Sequence, residues 1–99
     1  MPSQKMKDNT KPWKKLSLAE TISRLKEQTR ENNIVWSEEL NVDFSNEVEF
    51  LLSYKGRWLL CHMGKDYPFY IRYRIIGDRI YSRVKPEKFI SIAKEILYH

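Results

Sequence analysis

Val48-Glu49-Phe50-Leu51-Leu52-Ser53-Tyr54 and Arg57-Trp58-Leu59-Leu60-Cys61-His62-Met63 flank the dipeptide Lys55-Gly56. Glycine accepts a positive φ at no steric cost, so Lys55-Gly56 reads as a tight hairpin turn. A turn there fixes the register, and the register fixes which side chains share a face. Leu52 falls opposite Leu59, Phe50 opposite Cys61 and Val48 opposite Met63. The other face carries Glu49 opposite His62, Leu51 opposite Leu60 and Ser53 opposite Trp58.

A second hairpin follows the same plan. Residues 69–76 and 79–84 flank Gly77-Asp78, a pair suited to a type II′ turn. This pairs Ile75 with Ile80, Tyr73 with Ser82 and Ile71 with Val84. Its other face sets Arg74 opposite Tyr81 and Arg72 opposite Arg83, with Tyr70 near Lys85. Joining the apolar faces gives a core wall of Val48, Phe50, Leu52, Leu59, Cys61, Met63, Phe69, Ile71, Ile75, Ile80 and Val84. Residues 64–68 link the hairpins, and a bulge there would shift one face against the other.

Helices bracket the strands. Ser17-Leu18-Ala19-Glu20 is a capping box, in which hydroxyl and carboxylate each take a backbone N–H. Leu18, Ile22 and Leu25 follow as an apolar stripe, and Asn32-Asn33 supplies the stop. The helix is placed at about 17–31. Pro86 suits a first helical position, and Phe89, Ile92, Ala93, Ile96 and Leu97 trace the inner face of a second helix. Ile34-Val35-Trp36 reads as a short edge strand or as an extended link that docks Trp36. The expected fold is α+β: a four-stranded antiparallel β-meander, with an N-terminal and a C-terminal helix packed on one face, in the order α-β-β-β-β-α.

At 99 residues, 41% of them hydrophobic, the chain makes one domain with a core. Residues 1–15 carry five Lys and one Asp without apolar periodicity and read as a basic flexible tail. Residues 16–99 form the single α+β domain. Trp13 departs from the tail pattern, because an aromatic at the end of a tail usually docks.

Several chemistries are excluded. Two His and one Cys do not make a zinc site of the usual kind, and the three Gly stand singly, so no phosphate-cradling glycine loop exists. No metal and no cofactor is expected. Cys61 has no partner for an intrachain disulfide and falls on the core face, where it serves as a small hydrophobe. The densest apolar run, Trp58-Leu59-Leu60-Cys61, stops at His62, so no membrane segment is expected. Residues 1–7 lack the apolar region of a secretory signal. These features point to an intracellular, cytoplasmic protein. His62 and Glu49 form a cross-strand acid/base pair, but no nucleophile or oxyanion donor is evident beyond Ser53, so the pair reads as structural and the protein as no enzyme.

Charge points to one surface. With 18 Lys+Arg against 13 Asp+Glu, the net charge is +5. It is distributed in blocks: residues 16–47 are net acidic, and residues 48–85 are net basic. Arg72, Arg74, Arg79 and Arg83 are interleaved with Tyr70 and Tyr81. Guanidiniums pair phosphates bidentately, and aromatic rings stack on unpaired bases. Trp58, Leu51 and Leu60 adjoin them. The leading expectation is a small basic binding protein that contacts nucleic acid through an open sheet face made by Tyr70, Arg72, Arg74, Arg79, Tyr81, Arg83 and Trp58. The alternative is a protein-interaction or homodimerisation module using the same Trp/Leu/Arg face. Acids of the 38–47 block, among them Glu38, Glu39 and Asp43, are expected to pair with the basic hairpin rather than bind a metal.

Overall fold

A computed structural model describes residues 11–37 and 47–99. A single 3-10 turn, Trp13–Lys15, precedes helix α1, Leu18–Glu31. Strands follow at Val35–Ser37 (β1), Glu47–Tyr54 (β2), Arg57–Gly64 (β3), Ile71–Ile75 (β4) and Ser82–Val84 (β5), and helix α2 closes the order at Pro86–Leu97. The strands form one five-stranded sheet in the order β1-β2-β3-β4-β5, with every neighbour antiparallel. The class is α+β, as expected. Among the described residues the strand count is not four: β1 adds a fifth, pairing Val35, Trp36 and Ser37 with Ser53, Leu52 and Leu51. Three residues are too few for alternation to declare a strand.

The first hairpin keeps the expected register throughout, from Val48 opposite Met63 to Ser53 opposite Trp58. Lys55 (φ 49°) and Gly56 (φ 83°) both take the left-handed conformation that a type I′ turn requires. In the second hairpin Ile71 faces Val84, Arg72 faces Arg83 and Tyr73 faces Ser82, also as expected. Its tip differs. The strands end at Ile75 and resume at Ser82, and the Asp78 amide donates to the Ile75 carbonyl at 2.9 Å. Gly77, at φ 106°, is thus the third residue of a four-residue turn rather than the first of a two-residue loop. Ile75 and Ile80 therefore leave the core wall and are exposed. The link between the hairpins introduces no change of face: Leu59, Cys61 and Met63 align with Ile75, Tyr73 and Ile71.

The core collects Phe50, Leu52, Leu59, Cys61, Met63 and Ile71 from one sheet face, Leu25 from α1, and Phe89, Ala93 and Leu97 from α2. Trp36 stacks on Phe50 with centroids 3.9 Å apart. The inner line of α2 is Phe89, Ala93 and Leu97, while Ile92 is only half-buried. The expected stripe was thus centred too far round the helix: it took in Ile92, which lies beside Lys88 and Glu95, and left out Ile90, which packs against the core. In α1 the fully buried line is Thr21, Leu25 and Thr29, with Leu18 and Ile22 beside it.

Both ends of α1 follow the sequence. The Glu20 amide donates to Ser17 Oγ at 3.1 Å, and the Ser17 amide donates to Glu20 Oε1 at 2.9 Å. Asn33 sits at φ 61°, its amide donates to Arg30 O, and the Ile34 amide donates to Thr29 O. This is a Schellman stop with Asn in the glycine position, and it drives Ile34 into the core. Trp13 is half-buried against the core under the Arg24 guanidinium, which lies 5.0 Å from its ring. Lys11 pairs with Glu20 at 3.2 Å, so residues 11–15 lie along the domain. Residues 1–10 of the expected tail, and Glu38, Glu39 and Asp43, lie outside the described residues.

Candidate nucleic-acid interface

The helices cover one face of the sheet. Register lays out the other face in rows that cross the strands. One row holds Val35, Ser53 and Trp58, with Ile76 in line just past β4. It is apolar and open: Val35 is 60% exposed, Trp58 44% and Ile76 53%. The next row holds Ser37, Leu51, Leu60 and Arg74. The third holds Glu49, His62, Arg72 and Arg83. Glu47 and Gly64 begin the fourth. The face thus grades from apolar to charged along the strand direction.

Tyr81 is the hub of the charged part. Its hydroxyl lies 3.0 Å from His62 Nε2, and the two rings meet edge to face. Arg72 and Arg74 both lie over the Tyr81 ring, their guanidinium carbons 4.8 and 5.4 Å from its centroid. Arg74 is held further by donating to the Asp78 carbonyl at 2.8 Å. Arg83 lies 4.7 Å from the Tyr70 centroid. Such cation–π contacts lay guanidiniums and rings against each other at little cost in charge exposure.

Carboxylates lie beneath this layer. Arg72 Nη2 donates to both oxygens of Glu47 at 2.8 and 2.9 Å. His62 sits between two acids, with Nδ1 at 3.4 Å from Glu47 and Nε2 at 3.4 Å from Glu49. The expected His62–Glu49 pair is present, and Glu47 supplies the pairing of the acidic block with the basic hairpin. Glu47 was legible only as a member of that block; its alignment one register step beyond Val48, on the face of Glu49, was the available signal.

The expected site residues therefore fall into three situations. Arg72, Arg74 and Tyr81 form one cluster, and Arg83 with Tyr70 forms another. Arg79 is exposed on the 76–81 connection and joins neither. Trp58 stands in the apolar row. Arg72 is the one arginine of the set whose charge is matched by a carboxylate among the described residues. Cys61 is fully buried, and burial pushes its thiol well above the usual 9.0, which removes it as a nucleophile.

The fold and this face define a small α+β domain with an antiparallel sheet, one side of it free of helices among the described residues. Comparison of the chain with protein-family models, curated proteins and solved structures finds no match in any of the three. Among the described residues no helix is long and apolar enough to cross a membrane, and no group of three or more His, Cys, Asp or Glu is placed to hold a metal ion.

Proposed function

We propose that the chain is a small, non-enzymatic, basic binding protein of an intracellular setting that contacts nucleic acid through the open sheet face. The observation that carries this reading is the layer of guanidiniums over rings: Arg72 and Arg74 on Tyr81, and Arg83 on Tyr70. Guanidinium planes and aromatic rings are the surfaces on which unpaired bases stack, and the outward N–H groups of Arg74, Arg79 and Arg83 meet phosphates. Trp58, open at the next rows, extends the stacking surface. Because Glu47 already matches Arg72, the phosphate contacts fall to Arg74, Arg79 and Arg83 rather than to Arg72.

A second reading has its own observation. The row Val35, Trp58 and Ile76 is apolar and exposed, a composition suited to a partner protein or a second copy. One experiment separates the two. Anisotropy of a labelled random single strand is titrated with the full chain at low salt, beside sedimentation of the chain alone. Nucleic-acid contact predicts a complex that Arg74→Ala/Arg79→Ala/Arg83→Ala weakens while sedimentation stays unchanged. The interface reading predicts no complex and a dimer that Trp58→Ala dissociates.

A further inference from the structure

Beside the sheet face, a cleft of about 420 Å³ opens between the docked segment at Trp13, the 67–70 stretch and the first turn of α2. That volume lies in the range of small-molecule sites. We infer that this cleft binds a nucleotide unit, with a flat base among Trp13, Tyr67 and Tyr70 and a phosphate at the start of α2.

Each part of the ligand answers to something in the wall. The rings come first: Trp13, Tyr67, Phe69 and Tyr70 line the cleft, and Tyr67, 63% exposed, stands edge-on to Phe69. Aromatic rings facing a common space favour a flat π-system. The anion comes second. Lys14 and Lys85 line the same cleft, exposed and without a partner among the described residues, against one acid, Glu87. Lys85 is also the N-cap of α2 and offers no side-chain cap; Pro86 has no N–H and the Lys88 amide donates to the Lys85 carbonyl at 3.0 Å, so the Glu87 amide is the first-turn donor left for an anion at the positive end of the helix.

The third observation is independent of the helix end. Thr21 lines the cleft, is 1% exposed, and its hydroxyl makes no hydrogen bond. A buried hydroxyl without a partner is destabilising unless something supplies one. The polar edge of a nucleobase does so. A phosphorylated phenyl ring has no such edge, and a proline-rich peptide has no anion. A nucleotide therefore fits all three features together.

The cleft reaches the open sheet face through Tyr70, whose ring Arg83 covers. The bound unit is thus a free mononucleotide or the phosphorylated end of a strand, and the inference stands whether or not the sheet face binds nucleic acid. The test is a ¹H–¹⁵N NMR titration of the full chain with each of the four 5′-ribomononucleotides, beside inorganic phosphate and the matching nucleosides. At least one nucleotide is expected to shift the Trp13 indole N–H and the Tyr70 and Glu87 amides, and to bind roughly tenfold or more tightly than phosphate or its nucleoside alone. Tyr67→Ala weakens that binding roughly tenfold. Thr21→Val, which keeps the shape and removes the hydroxyl, weakens it too while raising the melting temperature. Arg74→Ala/Arg79→Ala, altered away from the cleft, leaves it intact even if strand binding is lost. A 5′-phosphorylated oligonucleotide that displaces the mononucleotide identifies the strand end as the source, and failure to displace it identifies the free nucleotide; both accord with the site. No shift at about 10 mM of any nucleotide, or equal binding of phosphate alone, overturns it.

Discussion

Glu47 on β2 and Arg72 on β4 meet above the strand between them. Arg72 Nη2 donates to both carboxylate oxygens at 2.8 and 2.9 Å, while Nε donates to Oε2 at 3.3 Å. The fork geometry is favourable, but the side chains are 40% and 28% exposed, so water screens the pair. Glu47→Gln is expected to lower stability by no more than about 1 kcal/mol in denaturant unfolding. The same change frees Arg72 on a face that carries phosphates, so polyanion binding should tighten. Weaker binding by Glu47→Gln would mean that the face is not used for anions.

The inner line of α2 gives the strongest contrast in stability. Phe89 is fully buried and meets the rings of Phe50 and Tyr73 edge to face. Phe89→Ala should cost about 3–5 kcal/mol. Ile92, three residues on but off the inner line, should cost about 1 kcal/mol when cut to Ala. Urea midpoints of the two variants check this, and equal losses would contradict the observed rotation of the helix.

Acid should loosen the start of α1 first. The Ser17 backbone N–H and then the Lys11 ammonium hold the Glu20 carboxyl below its usual range. Its folded value is depressed, so its contribution is present above the ordinary carboxylate range and is lost as pH falls through the lowered value. Amide exchange in the first turn of α1 should speed up over that window. In Glu20→Gln the pH dependence of that exchange should lose this step.

Cys61 should titrate only on unfolding. Burial raises its thiol well above the usual 9.0, so above that value the unfolded chain releases a proton that the folded one keeps. Stability then falls as pH rises, and Cys61→Ala should remove that part of the slope. In native protein at neutral pH the thiol should react with a disulfide reagent only as fast as the domain opens, whereas rapid labelling would place Cys61 outside the core.

Much of this architecture was legible in the sequence because turns are local. Lys55-Gly56 set every pairing of the first hairpin, and Ser17 with Glu20 set the start of α1. What was not legible depended on neighbours distant in sequence. Ile34-Val35-Trp36 read as an edge strand or as a docked link, and only β2, which receives Val35–Ser37, decides for the strand. The widened tip at 76–81 depends on Gly77 closing a turn from Ile75, one residue earlier than its pairing with Asp78 suggested. In the candidate site, alternation put Arg72, Arg74 and Tyr81 on one face. The rotamers that lay the arginines over the ring, and the reach of Glu47 across a strand, arise only from three-dimensional contact.

The measurement that bears most directly on the central claim is the salt dependence of nucleic-acid binding. Each phosphate neutralised by an arginine releases counterions, so the logarithm of affinity falls linearly with the logarithm of salt. For the full chain on a random single strand the account predicts a steep line, and for Arg74→Ala/Arg79→Ala/Arg83→Ala a line flatter by roughly two to three units with the fold intact. An unchanged slope in that variant, or no complex at tens of micromolar protein in low salt, would contradict it.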